Sequence, residues 1–533
     1  MNQKNEMFYK CFFLAKYIVV ILLFILSYRV TRSIMSPLAG CCEVIILFFL
    51  DNYFAIKKFK FRKIIIAVPF FLICAEAAVH LFVGRYITAI MISNVSSIGM
   101  LRGRFVQYLG VVLLVVLIQL IPTKPVFNHP KAGGISILLV LVLLFVDIGM
   151  CMNSQEDISP TEGLISLSEE YYNRINMYRM INNNNFQTQA SEYYNLTIED
   201  GITKPTDLPA MPNVVLIFME GCSQNIIDDS RDIMPNIREF QNKGITFENY
   251  YNHTAATYRG IFGQLFSTHK FYTDRIDGLV SIQSILHESG YETVFVNSEP
   301  YNREFTDYLE CMGFDSVESN GNEPLTDGQD YDCVFDVIEQ AEADESPVFV
   351  ATYTAYTHVG LDSPEEIYGD GSNRLLNRFY NSDYQFGSFL NKLTTAGYDK
   401  NTIIILTTDH ASAMDDDYIN TFSGAYDRVA WFCDEIPLTI YYNDVDPCYI
   451  NVDGRNSLCL APTILDFLDI SAPNYFLGES LFVASDANEF DTIFWIPEDS
   501  EAFSTDGGEV RCLTEEEIKR FQRIYIDSLF DIA

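Results

Sequence analysis

The 12 cysteines contain no C-x-x-C pair, so nothing in the chain marks a zinc ribbon. No segment repeats at a fixed period, which excludes solenoids and propellers. Positive charge is scarce over most of the length. Residues 1–151 hold 15 Lys and Arg against 5 Asp and Glu, leaving 20 against 66 in the remainder of the 533 residues. A surface so acidic has nothing to offset phosphate repulsion, so nucleic acid is excluded as a partner. The contrast places the two parts in different surroundings, with the acidic part well solvated.

What residues 1–151 do have is long apolar runs. Five of them, near 9–28, 37–56, 64–83, 105–123 and 134–151, each approach the roughly 20 residues needed to cross a bilayer. A cleaved signal peptide accounts for only one run of this kind. Residues 85–101 are moderately apolar and suit a re-entrant or surface segment. The densest basic cluster, Lys57, Lys58, Lys60, Arg62 and Lys63, marks a cytoplasmic loop. With five spans, the N-terminus is then inside and everything after Cys151 outside. Lys124 and Lys131 agree; Arg29, Arg32, Arg85, Arg102 and Arg104 fall on the outer side. Glu76 and His80 share a helical face in the third span, near its outer end, and are expected to reach the interface. An oxidising exterior permits disulfides, with Cys311–Cys333 and Cys448–Cys459 as the sequence-near pairs.

Residues 152–212 show no strong strand pattern and read as a linker. From Asn213 the chain alternates apolar runs, at 213–219, 293–297, 347–354, 402–408 and 436–442, with helical patterns. Four of these close at glycine: Met234 to Lys243 before Gly244, Gln283 to Ser289 before Gly290, Arg303 to Met312 before Gly313, and Arg374 to Thr395 before Gly397. This alternation predicts a mostly parallel sheet with helices on both faces over residues 213–485. Residues 486–533 read as an acidic tail ending in a helix from about Thr514 to Leu529.

Two of the strand-like runs finish in metal-ligand residues. Glu220 ends the first, and Asp409-His410 ends the run Thr402 to Thr408. That pattern predicts a site at the carboxyl edge of the sheet. Two carboxylates and an imidazole suit a divalent cation such as Mn²⁺ or Zn²⁺. Thr257, in Thr257-Tyr258-Arg259-Gly260, offers a hydroxyl that such an ion would activate as a nucleophile. Thr254 is the alternative hydroxyl. Asp415, Asp416 and Asp417 lack the closing Glu of a calcium loop and read as a solvated turn. His269 and His287 read as structural.

Taken together, Asn213 to Glu220, Met234-Pro235-Asn236-Ile237 ahead of Gly244, Thr257 in its Gly-containing turn, Thr407-Thr408-Asp409-His410 and Ile436-Pro437-Leu438 resemble the alkaline-phosphatase/sulfatase superfamily. Five spans, a linker and an outer domain resemble lipoteichoic acid synthases and related membrane phosphoglycerol transferases. The resemblance implies a five-helix transmembrane domain followed by an extracytoplasmic, alkaline-phosphatase-like α/β domain in a bacterial cell membrane. It implies that Thr257 attacks the phosphorus of phosphatidylglycerol, that diacylglycerol leaves, and that an acceptor hydroxyl then takes phosphoglycerol from the threonine. The acceptor is a cell-envelope glycan, glycolipid or teichoic-acid chain. Glu220, Thr257, Asp409 and His410 are the implied ligands of one divalent metal, manganese first, with magnesium and zinc as alternatives. Tyr301-Asn302-Arg303 is similar to the family's aromatic-Asn-Arg segment, with Tyr301 where the synthases carry tryptophan. It assigns Tyr301 and Arg303 to the headgroup, and His358 matches a family histidine near the substrate.

A sulfatase places Cys or Ser at the nucleophile, with Pro two residues later and then Arg. Here Thr257 is followed by Tyr258-Arg259-Gly260, which argues against sulfate-ester hydrolysis. A phosphoethanolamine transferase shares the layout and the threonine and is the alternative. A non-catalytic membrane scaffold is disfavoured because all four site residues are present.

Overall fold

The computed structural model describes residues 3–31, 34–83, 86–87, 110, 124–127, 132–151, 158–168 and 198–521, except 199, 207, 270–278, 321–323, 423–427, 485–489 and 497–500. The chain divides into two compact units, Met1–Asn176 and Met177–Ala533.

In the first unit, four helices among the described residues are long and apolar enough to span a bilayer: α1 (Gln3–Thr31), α2 (Met35–Ile56), α3 (Arg62–Val83) and α4 (Ala132–Cys151). They correspond to expected spans one, two, three and five. The span expected at 105–123 lies outside the described residues, as do residues 85–101 apart from Tyr86 and Ile87. Phe13, Tyr17, Phe48 and Phe70 pack edge to face where α1, α2 and α3 meet. Buried charges there are paired: Asp51 accepts from Lys16 Nζ at 2.9 Å, Tyr17 OH at 2.7 Å and Arg62 Nε at 2.6 Å. The expectation that Glu76 and His80 reach the interface is not met. Both are fully buried. His80 bridges Ser36 Oγ at 2.6 Å and Ser27 Oγ at 2.9 Å and stacks on Tyr86, while Glu76 accepts the Ile87 N–H at 2.8 Å. Serines on two neighbouring helices give the imidazole the partners that water would otherwise supply.

In the second unit, the elements run β1 (Asn213–Met219), α5 (Pro235–Lys243), β2 (Ile245–Glu248), α6 (Thr257–Phe266), α7 (Ile282–Glu288), β3 (Glu292–Val296), α8 (Arg303–Glu310), β4 (Ser316–Glu318), α9 (Asp327–Asp344), β5 (Val348–Thr354), α10 (Arg374–Ala396), β6 (Thr402–Thr408), α11 (Asp416–Thr421), β7 (Thr439–Tyr441), β8 (Cys448–Asn451) and α12 (Leu460–Phe467). Eight strands form one sheet in the order β4-β3-β5-β1-β6-β7-β2-β8. All neighbours are parallel except β7, which runs antiparallel to β6 and β2.

β1 shows why the helices lie on both faces. All seven of its residues are buried. Val214, Leu216 and Phe218 join one core with α6, α7, α8 and α12. Val215, Ile217 and Met219 join the other with α5, α9 and α10. A strand buried on both sides reads as a continuous apolar run, which is why β1, β5 and β6 stand out in the sequence. α10 ends at Gly397, whose φ of +81° suits a left-handed cap.

Residues 486–533 carry more than the expected tail. β9 (Ile493–Ile496), β10 (Glu501–Ser504) and β11 (Arg511–Cys512) form an antiparallel sheet before a helix whose described residues are 515–521. Trp495 in β9 is buried, and its backbone N–H donates to His253 O at 2.9 Å. The two expected disulfides are absent, since all 12 cysteines are free. Cys448 is exposed on the edge strand β8 while Cys459 is buried ahead of α12, and Cys311 is exposed while Cys333 is half-buried on α9.

Candidate active site

β1 and β6 are adjacent and in parallel register, with Met219 opposite Thr408. The residues that follow them, Glu220 and Asp409-His410, are therefore delivered side by side at the carboxyl edge of the sheet. All three are buried, and one ligand-type atom from each lies within 4.8 Å of the others. His410 Nε2 is 3.5 Å from both Glu220 Oε1 and Asp409 Oδ2. Ligands bound to one ion at about 2.1 Å with tetrahedral angles stand about 3.4 Å apart, so the spacing fits a shared cation.

The backbone orients each group. Asp409 Oδ1 accepts from Gly221 N at 2.9 Å and His410 N at 2.7 Å. Its Oδ2 is buried and has no hydrogen-bond partner among the described residues, leaving that oxygen for an ion. Gly221 takes a φ of +50°, a conformation glycine adopts at little cost, and this aims its N–H at the carboxylate. His410 Nδ1 lies 2.8 Å from the Ala411 carbonyl. A carbonyl only accepts, so Nδ1 carries a proton and Nε2 is the atom offered to the cluster.

Thr257 opens α6, and its Oγ1 donates to Glu220 Oε2 at 2.9 Å. Ala256, just before it, has φ +75° and ψ 136°, a conformation that L-residues with a side chain rarely adopt. α6 sits directly on the end of β6. A Cβ on Gly260 would lie 2.0 Å from the Asp409 carbonyl oxygen, and Gln264 Nε2 donates to Thr408 O at 2.8 Å.

The electrostatics suit a cation site. For Glu220, burial pushes its pKa up. The hydrogen bond and charge of His410 outweigh that burial, with help from His358 and the Thr257 hydroxyl, and hold Glu220 well below the ordinary carboxylate range. Asp409 moves upward, through burial and repulsion from Glu220. Burial opposes protonation of His410, yet Asp409 and Glu220 together raise it to about 10. The imidazolium thus supplies the positive charge that two buried carboxylates require. A metal ion must displace that proton, because only the unprotonated Nε2 ligates. Raising the pH removes the competitor, so metal affinity climbs with pH below about 10. Asp409, also shifted upward, adds a second competing proton at the lower end of this range, so we expect Mn²⁺ affinity to rise at least about tenfold per pH unit between pH 6 and pH 8; paramagnetic resonance of free Mn²⁺ measures it, and a flat profile contradicts it.

The alternative hydroxyl does not reach the cluster. Thr254 is fully buried, and its Oγ1 donates to Trp495 O at 2.8 Å. Thr254→Val leaves that carbonyl without its donor and is expected to cost about 1–3 kcal/mol of stability while leaving transfer activity within a fewfold of wild type. Denaturant melts alongside turnover check both.

Tyr301 and Asn302 converge on a residue that the sequence reading passed over. Tyr301 OH donates to Glu299 Oε1 at 3.0 Å and Asn302 Nδ2 to Glu299 Oε2 at 3.2 Å. Glu299 is buried, and burial pushes its pKa up. No periodicity in Ser298-Glu299-Pro300 signals this role. Asn302 also caps α8 by accepting the Phe305 N–H. Arg303 is exposed at the first position of α8. His358 is half-buried, with Nδ1 2.9 Å from Val359 O, and its charge is felt by both Glu220 and Glu299. The neighbouring Thr357 Oγ1 donates to the Glu220 carbonyl.

Of the residues set aside, Asp415 caps α11 by accepting the Tyr418 N–H at 2.9 Å. His269 is buried between His253, Trp495 and Phe521, and His287 is exposed and pairs with Asp315.

The sulfatase family matches residues 212–470, the span that holds every residue of this cluster. This chain carries a domain of the sulfatase/alkaline-phosphatase superfamily. The superfamily is metal-dependent, and its members are transferases and hydrolases of phosphate and sulfate esters. Among solved structures, a Vibrio parahaemolyticus protein of the alkaline phosphatase superfamily is similar at 19% identity and a TM-score of 0.50, covering 66% of this chain and 94% of its own. The integral membrane lipooligosaccharide phosphoethanolamine transferase A of Neisseria meningitidis is similar at 13% identity and a TM-score of 0.51, covering 88% of this chain and 97% of its own. The lipoteichoic acid synthase LtaP of Listeria monocytogenes is 14% identical over 62% of this chain and 94% of its own, with a TM-score of 0.46. The first two bear out the alkaline-phosphatase-like domain, and the second, which covers 88% of this chain, also bears out apolar N-terminal helices ahead of it, which point to membrane anchoring.

Proposed function

We propose that this chain is a metal-dependent transferase that moves phosphoglycerol from phosphatidylglycerol to a cell-envelope glycan, glycolipid or teichoic-acid acceptor through a phosphothreonine intermediate at Thr257. The observation that carries the reading is the Thr257 hydroxyl on Glu220, beside Asp409 and His410. Glu220, Thr257, Asp409 and His410 would hold one divalent ion, manganese first. When bound, the ion lowers the pKa of the hydroxyl and screens the phosphoryl oxygens.

The chain's own residues do the rest. The hydrogen bond to Glu220 holds Thr257 Oγ in place for attack on phosphorus. The Thr257 hydroxyl loses its proton to water as its oxygen bonds to phosphorus, the bond to the diacylglycerol oxygen breaks, and His358 supplies the proton that this leaving oxygen needs. The acceptor hydroxyl then attacks the same phosphorus and passes its proton to His358, and Thr257 leaves and regains a proton from water. Arg303 grips phosphate oxygens, and Tyr301, held by Glu299, borders the headgroup. The catalytic domain is extracytoplasmic, where a lipid phosphodiester is a donor present without ATP. Membrane anchoring raises the effective concentration of that donor.

Diacylglycerol release by the full chain in nanodiscs tests this. Release from phosphatidylglycerol, lost on chelation, is the expected result. Release only from phosphatidylethanolamine makes the chain a phosphoethanolamine transferase instead, and release from neither contradicts a phospholipid donor.

A further inference from the structure

The three buried ligand-type residues come from two loops, 220–223 after β1 and 409–412 after β6. Backbone register sets where the loops begin, but neither is regular structure beyond its strand. They are laced by reciprocal hydrogen bonds: Ser223 N donates to Ser412 Oγ at 3.2 Å, Ser412 N donates to Ser223 Oγ at 3.1 Å, and Ser412 Oγ donates to the Gly221 carbonyl.

One side chain from elsewhere grips both loops. Arg428 Nη1 donates to Ser412 O at 2.6 Å, and Nη2 donates to Ser223 Oγ at 3.1 Å. Nη2 also donates to Tyr418 OH at 2.8 Å and pairs with Asp434. Tyr418 OH in turn donates to Asn225 Oδ1 at 2.7 Å, just past the first loop. The network continues toward the nucleophile. Asp434 N donates to Asn252 Oδ1 at 3.1 Å, and Asn252 Nδ2 donates to Thr254 O at 2.7 Å, three residues before Thr257. The Arg428 side chain is only 7% exposed. A buried guanidinium is costly unless its charge is paired and its donors are used, and here Asp434 and the loop acceptors meet both needs.

We infer that Arg428 is a positioning residue. It clamps the loops of Glu220 and Asp409-His410 into one frame, so the site is set for a divalent cation before the ion arrives. Through Asp434 and Asn252 it ties the Thr257 segment to the same frame. A planar fork with several donors spans these acceptors; a lysine ammonium, as a point charge on a flexible stem, does not.

The inference rests on the metal reading of the cluster, and its test separates the two. The full chain, made metal-free, is titrated with MnCl₂, and free Mn²⁺ is read by paramagnetic resonance. R428M and R428K are expected to weaken Mn²⁺ binding about 10- to 100-fold, the usual cost of losing a residue that orients metal ligands. The melting temperature of the metal-free protein is measured in parallel, because a purely structural arginine lowers it without changing Mn²⁺ affinity. S223A deletes one acceptor from the first loop with little change in volume. It carries the same test should R428M fail to fold, with a smaller loss expected. Wild-type binding with variant affinities within twofold overturns this inference alone; a wild type that binds no Mn²⁺ overturns the metal reading and this inference with it.

Discussion

Thr257→Ala is expected to abolish headgroup transfer, by about three orders of magnitude or more, while leaving the fold in place and Glu220, Asp409 and His410 still grouped as cation ligands. The size follows from the role. Removing a covalent nucleophile removes the reaction path, and what remains is the weaker stabilisation by the surrounding groups. The fold should survive because the Thr257 hydroxyl's one described bond is to Glu220, and Glu220 keeps its interaction with His410. Thr257→Ser keeps the hydroxyl and should retain measurable turnover, which separates loss of the oxygen from loss of the methyl group. Steady-state diacylglycerol release with a parallel Mn²⁺ titration checks the pair. Full activity in Thr257→Ala would remove threonine from the mechanism.

Gly260→Ala should be nearly as damaging, though residue 260 touches no substrate. The added Cβ would stand 2.0 Å from the Asp409 carbonyl oxygen and 2.7 Å from its carbonyl carbon. These are backbone atoms at the end of a central strand, so no side-chain rotation relieves the overlap. Either α6 lifts from the sheet or Asp409 moves. Overpacking of this kind costs about 1–3 kcal/mol, occasionally more. Its functional cost is larger, since α6 carries Thr257 and two of the ligand residues directly follow β6. A displacement of about 1 Å at a reacting centre is worth about 10²-fold in rate. We expect a loss of at least that size together with a lowered melting temperature; wild-type turnover would mean that the helix and strand have freedom the packing does not show.

The parts of the site that were legible in the sequence share one property. Glu220 and Asp409-His410 sit at the ends of strands buried on both faces, and continuous apolar runs announce such strands. The rest depends on partners distant in sequence. Thr254 and Thr257 are three residues apart and chemically alike; their partners separate them, Glu220 for Thr257 and for Thr254 the Trp495 carbonyl, which belongs to a sheet hidden in an acidic stretch. Glu299 and Arg428 act through hydrogen bonds to Tyr301, Asn302, Ser223 and Ser412, which have no sequence period. β2, β4 and β8 have only three or four residues each, too few for alternation to register. α9 was missed for another reason. Its apolar residues Tyr331, Val334, Phe335, Ile338 and Ala341 keep helical spacing, but Asp and Glu between them dilute the signal. In the N-terminal unit, span-length runs were plain, whereas the burial of Glu76 and His80 turned on Ser27, Ser36 and Ile87, which no single helix reveals.

The central claim is that Thr257 carries the donor's headgroup. Peptide mass spectrometry of the Mn²⁺-loaded full chain, quenched after incubation with phosphatidylglycerol and no acceptor, reads it directly. A phosphoglycerol adduct on the peptide containing Thr257, absent in Thr257→Ala, is the predicted result. An unmodified Thr257 peptide under conditions that release diacylglycerol, or an adduct on another residue, would contradict it.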